Sequence, residues 1–177
     1  MEARELPEPK PQAFELVLRV RHPSMDPAEI SRVLQIDAEH CFKAGDLRRA
    51  SNDTTAVRRA AGPSVHSETY WLATLNPGSW PADLSYGELT SSYATARSGE
   101  TVNEMAKMIM GRALAVCASR SLRPHAEFFR RIQDEGGQVR LLVEVNTTVV
   151  DGFTITPELA RELSAVGVPV DFEFSAS

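Results

Sequence analysis

From Phe14 onward hydrophobic and polar residues alternate: Phe14, Leu16, Leu18 and Val20 are interleaved with Glu15, Val17, Arg19 and Arg21. A period of two sends successive side chains to opposite faces, so this stretch is predicted to be a strand with one face on a core. The same alternation returns in SETYWLATL, where Thr69, Trp71, Ala73 and Leu75 share one side and Tyr70 and Leu72 the other, a strand partly buried on both faces. It is clearest in QVRLLVEVN, with Val139, Leu141, Val143 and Val145 inward and Arg140, Glu144 and Asn146 outward. The closing VPVDFEF places Val168, Val170, Phe172 and Phe174 on one side of a last strand.

Between the strands the period changes to that of helices. Asp26 can cap, Pro27 suits a first helical position and Glu29 completes a capping box, which predicts a short helix over 27–35. From Thr101 the apolar residues Val102, Met105, Ala106, Ile109, Ala113, Val116 and Cys117 recur at steps of three and four, the stripe of a long amphipathic helix over 101–119. Pro124 starts a second helix over 124–135, stopped by Gly136 and Gly137, and Thr156-Pro157 opens a third over 157–166 that Gly167 ends. Both outer segments share a layout of strand, cap residue plus proline, short helix and return strand, a weak internal repeat. The fold class that follows is α+β, with helices packed on a mixed, largely antiparallel four-stranded sheet. Its expected plan is ferredoxin-like, β-α-β plus β-α-β, with residues 101–135 as a helical insertion. Residues 1–12, with three prolines in five positions, read as a solvated, disordered tail, and 13–177 as a single domain.

Composition narrows the function classes. With 19 Lys and Arg against 24 Asp and Glu, the net charge of −5 lacks the broad basic field that holds duplex nucleic acid. Cys41 and Cys117 form neither a disulfide framework nor a CxxC ligand pair, which fits a reducing compartment. The opening MEARELPEPKPQ has no apolar core of a secretory signal, and no later run reaches the roughly 18 apolar residues of a membrane span, so a cytoplasmic, membrane-free protein is expected.

The strand FELVLRVRHP, the helix DPAEISRVLQI, the turn FKAGDLRR, the Trp-bearing strand SETYWLATL and the ending TPELARELSAVGVPVDFEF together resemble the bacterial domain of unknown function family 4279 over about residues 13–174. The resemblance implies an α+β fold of this kind and a bacterial origin, and it carries no activity. Two stretches depart from it. PGSWPADLSYGELTSSYATARSG is longer than the usual passage after the Trp strand, and Leu34-Gln35 stands where many members have Leu-Gly followed by Pro.

No catalytic grammar is legible. His22, His40, His66 and His125 lack the i, i+4 spacing of a zinc site, so neither a metal nor a cofactor is expected. No GxSxG, SxxK or P-loop picks a nucleophile, and Asp134-Glu135 is a solvated helix end, so no catalytic residue is assigned. His40-Cys41 is read as a solvated His beside a half-buried Cys, since neighbouring side chains diverge.

The long passage from Asp37 to Ser67 is the richest in candidate chemistry. Lys43, Arg48, Arg49, Arg58 and Arg59 place five cations in seventeen residues of an acidic chain, with Gly45-Asp46 as a turn between them. Such residues either keep a loop solvated or grip an anion or acidic partner through guanidinium forks. Trp71 reads as a packing residue, whereas Trp80, in a Pro-Gly-Ser-Trp-Pro turn, is a candidate exposed anchor. Acidic charge, decorated loops and absent catalytic motifs point first to a protein-binding module of immunity, antitoxin or accessory type that recognises another bacterial protein. The alternative is an enzyme or sensor that binds a small anionic ligand at the 43–59 loop.

Overall fold

The computed structural model describes residues 14–47, 64–75, 99–147 and 150–175; the 1–12 tail, the 48–63 passage and Trp80 lie outside them. Strand β1 (Phe14–His22) buries Phe14, Leu16, Leu18 and Val20, as its alternation requires. Asp26 then starts α1 (Pro27–Leu34) by accepting the Ala28 N–H at 2.9 Å, with Pro27 in the first turn, where its missing N–H has no helical partner to lose. Glu29 does not return to the cap; its carboxylate reaches Arg131 at 2.6 Å across the helical layer. The helix ends at Gln35, which occupies the left-handed region (φ +56°) that glycine usually takes.

Two further strands precede the helical region: β2 (His40–Phe42) and β3 (Thr69–Thr74). Helix α2 (Gly99–Val116) runs into a π-helical turn over Cys117–Leu122 and a 3₁₀ turn over Arg123–His125 before α3 (Ala126–Asp134). The expected break at Pro124 is therefore a joint: proline has no N–H for the preceding turn and crowds the carbonyl four residues back, so the backbone widens and then tightens to pass it. A glycine pair closes α3, with Gly136 N–H donating to Gln133 at 3.0 Å and Gly137 N–H to Ile132 at 2.8 Å, the double bond of a Schellman cap. Strand β4 (Gln138–Asn146), helix α4 (Pro157–Val166), capped by Thr156, and strand β5 (Val170–Ser175) complete the chain.

The fold is α+β, a mixed, mostly antiparallel sheet with helices packed on it, in the order β2-β3-β1-β4-β5. It differs from the expected plan in two ways. The sheet has five strands, because β2 lies in the passage over 37–67 and is too short for alternation to show. The pairing is also not that of a split β-α-β unit, which would leave a strand's width between the two strands of each unit. Here β1 and β3 are adjacent and antiparallel, and β4 and β5 are adjacent and parallel around α4. The helical passage carries the chain from β3 over β1 to β4 on the other side.

One face of the sheet holds the core. The register sets Val20 beside Trp71 and Val139, and Leu18 beside Ala73 and Leu141, under Ile30, Met110, Leu114, Phe129, Ile132, Leu159 and Leu163 of the helices. Each such side chain contributes roughly 1.5–3 kcal/mol by leaving water. Trp71 is fully buried, and its indole N–H donates to Ser31 Oγ at 2.9 Å, which pins α1 to β3 and makes it a packing residue. His22 is buried at the end of β1, where its Nδ1 accepts the N–H groups of Ser24 (3.1 Å) and Met25 (2.8 Å), so the ring proton sits on Nε2. That nitrogen lies 3.1 Å from the Glu135 carboxylate without hydrogen-bond alignment. The second face carries Arg19, Arg21, Tyr70, Arg140 and Asp171, with Val17 and Leu142 buried among them. No helix among the described residues is long and apolar enough to cross a membrane.

Candidate functional site

The candidate site forms where the two ends of the long passage meet the sheet's β2 edge. Lys43, Ala44, Gly45 and Asp46 make a tight turn: Asp46 N–H donates to the Lys43 carbonyl at 3.1 Å, and Lys43 N–H to Asp46 Oδ2 at 2.9 Å. Gly45, with φ +89°, supplies the left-handed third position that such a turn requires. The turn is stitched to the returning chain by Gly45 N–H to His66 O, by His66 N–H to Asp46 O (2.9 Å each), and by Ala44 N–H to the buried Thr69 hydroxyl at 3.1 Å. An isolated bridge between Leu47 and Val65 continues the seam, and both side chains stand exposed, at 66% and 49%.

Above this seam runs a column of rings. Cross-strand register puts Phe42 opposite Tyr70, and their rings stack at 5.2 Å with 15° between planes. His66 stacks on Phe42 at 3.7 Å, and His40 meets Tyr70 edge-on at 5.9 Å. Arg21, one strand further in, lies 5.9 Å over the Tyr70 ring. A cavity of about 880 Å³ opens beside the column, lined by His40, Cys41, Phe42, Asp46, Leu47 and His66 among others. Cys41 is exposed there as a free thiol rather than half-buried as the sequence implied, because β2 is the outer strand of the sheet and nothing described flanks it. His40 and Cys41 point to opposite faces, as neighbours on a strand do, so they form no thiolate-imidazole pair.

The predicted binding residues separate in the structure. Gly45 and Asp46 build the turn, and Lys43 is spent on an ion pair, its ammonium 2.7 Å from Asp26 Oδ2. That contact, with the Ala28 N–H, holds the Asp26 carboxyl below its ordinary range and raises the Lys43 ammonium above its own. Arg48, Arg49, Arg58, Arg59 and Trp80 lie outside the described residues. The residues that sequence reasoning missed are Phe42, His66, Tyr70, Leu47 and Val65. Their only common signal is the pairing of β2 with β3, which a three-residue strand does not announce.

Chemically the site offers apolar and aromatic surface rimmed by imidazoles and a carboxylate. Among the described residues no three His, Cys, Asp or Glu side chains converge as a metal site. The second thiol, Cys117, is fully buried at the π turn, where desolvation pushes it up to about 12. A second groove, about 740 Å³, lies between α2 and α4 and is lined by Met108, Gly111, Phe153 and Leu159 with charged residues at its rim. Compared with family models, curated proteins and solved structures, the chain matches none.

Proposed function

We propose that the protein is a binding module that recognises another protein through the β2 edge: the ring column of Tyr70, Phe42 and His66 with the exposed Leu47 and Val65 beside it. The observation that carries this reading is the gathering of three half-buried stacked rings and two exposed large apolar side chains at the β2 edge of the sheet. Aromatic anchors beside a cavity are the surface type that concentrates binding energy, and an outer strand offers backbone groups to an extended segment of a partner. The bacterial origin that the resemblance to family 4279 implies would make the partner a bacterial protein, and the acidic charge, decorated loops and absence of a catalytic motif favour an immunity, antitoxin or accessory role. The cations Arg48, Arg49, Arg58 and Arg59 would favour an acidic partner. Lys43, already paired, contributes to the turn rather than to an anion site.

The test compares wild type with Leu47→Asp and Phe42→Ala as immobilised baits in an extract of the source cells. A single protein recovered in stoichiometric amount by wild type, and at least about tenfold less by either variant, is the expected result for anchors near the centre of an interface. Leu47→Asp should melt close to wild type, since Leu47 is exposed, whereas Phe42→Ala should melt lower, losing part of a ring's burial as well as a stack of about 0.5–1.5 kcal/mol, and is compared at a temperature where it is folded. Equal recovery by all three proteins would place the partner surface elsewhere.

A further inference from the structure

The antiparallel register of β1 and β4 sets Arg19 directly opposite Arg140 and Arg21 opposite Gln138 on the sheet face away from the helices. Like charges directly opposite each other on a sheet are destabilising, and an acidic chain has no need to gather cations there. Among the described residues two carboxylates, Asp171 and Glu68, lie within ion-pair distance of the three guanidinium groups. Asp171 holds Arg140 Nη1 at 2.9 and 3.2 Å and approaches Arg19 no closer than 4.0 Å, while Glu68 lies 3.4 Å from Arg21. Within ion-pair distance three guanidinium groups meet two carboxylates, which leaves one positive charge locally uncompensated, while Glu15, Glu144 and Glu173 lie further along the same face. Among the described residues the Arg19 guanidinium has the ion pair with Asp171 at 4.0 Å and no hydrogen bond, so its N–H donors are available to a ligand in the cleft. Arg21 is steadied over the Tyr70 ring at 5.9 Å, and Arg140 by Asp171, so the donors are held before any ligand arrives.

Arg19, Arg21, Gln138 and Arg140 line a cavity of about 230 Å³, and these four polar side chains make up its described lining. That is below the roughly 300–1,000 Å³ of pockets for drug-sized ligands, so the site suits one small group. A carboxylate is planar and satisfies a single guanidinium fork. A phosphoryl group presents three outer oxygens in three directions and a charge near −2, which matches three forks and an amide. We propose that this cleft is an oxyanion site for the phosphoryl group of a small ligand, separate from the β2-edge surface. Binding there cancels the uncompensated charge between β1 and β4 and relieves the Arg19-Arg140 opposition.

The experiment is thermal melting and calorimetric titration of the whole chain with inorganic phosphate, glycerol 3-phosphate and acetate, each against sodium chloride at equal ionic strength. Phosphate or glycerol 3-phosphate should raise Tm in a saturable way, and acetate should act like chloride. Stronger binding of glycerol 3-phosphate identifies a phosphate monoester as the ligand class, and stronger binding of inorganic phosphate identifies the free ion. Arg19→Gln, which removes the charge opposed to Arg140, should leave the unliganded Tm equal to or slightly above that of wild type and weaken binding at least about tenfold, the usual scale for loss of a charge-assisted bidentate contact. Arg21→Gln, at a half-exposed position, is the second variant should Arg19→Gln fold poorly. No response beyond that to chloride, or equal binding by a folded variant, overturns the proposal.

Discussion

Gly136 and Gly137 are neighbours that look interchangeable in the sequence, and the structure assigns them opposite physical reasons. Gly136 has φ +84°, and a methyl group added there would meet only Pro23 Cγ at 3.9 Å. Gly137 has no such φ, but its added Cβ would lie 2.7 Å from the Arg21 carbonyl oxygen, 2.7 Å from Ile132 Cγ2 and 2.8 Å from His22 Cδ2. Gly136→Ala should therefore cost the left-handed penalty of about 1–2 kcal/mol. Gly137→Ala forces β1 and β4 apart against backbone, at or above the upper end of the roughly 1–3 kcal/mol for overpacking. At about 2–4 °C per kcal/mol for a chain of this size, a cost of about 3 kcal/mol should lower the Tm of Gly137→Ala by about 6–12 °C. The decisive comparison uses asparagine, which tolerates the left-handed region but is larger than alanine. At 136 the Asn variant should be more stable than the Ala variant, and at 137 less stable. Urea unfolding of the four variants at constant m-value measures both orders. The same order at both positions, or a Gly137→Ala loss below about 0.5 kcal/mol, would refute the packing argument.

Two further outcomes follow from the electrostatics. Because Lys43 and the Ala28 N–H lower the folded-state pKa of Asp26, the pair stabilises the protein above the ordinary carboxylate value of 3.8, and that contribution is lost as pH falls through the lower folded value. Melting curves of wild type and Lys43→Met should thus differ at neutral pH and converge as acid protonates the Asp26 carboxyl; a constant difference would contradict the assignment. In a thiol-reagent assay, exposed Cys41 should react in the native protein, while Cys117, buried and pushed up to about 12, should react only on unfolding. Two fast thiols in the folded state would show that the π turn opens readily.

The strands over 14–22, 69–74, 138–146 and 170–175 and the helix starts at Asp26-Pro27 and Thr156-Pro157 were all readable from the chain, because alternation, capping and proline position are local properties. So was the inward face of each long strand, with Val139, Leu141, Val143 and Val145 all buried. The burial of the last strand segment was only half legible: Val168, just before β5, is buried, but Phe174 is 50% exposed although β4 runs beside it, since β5 is an edge strand and hydrophobic pattern says which side a residue takes and not how far other elements cover that side.

What the sequence by itself determined, then, was the set of elements, their facing sides and the α+β class. Strand order, the short β2, the stacking of His66, Phe42 and Tyr70, and the opposition of Arg19 to Arg140 were decided only in the tertiary structure. The reason is that each depends on register between segments far apart in the chain: Phe42 meets Tyr70 across 28 positions, and Arg19 meets Arg140 across 121. A shift of one residue in either pairing would turn those side chains to the other face, so nothing within a single segment encodes which rings or charges become neighbours. Lys43 shows the converse case. Its charge was visible in the sequence, but its partner, Asp26, lies at the cap of a helix seventeen residues earlier, and the fold alone brings the two within 2.7 Å.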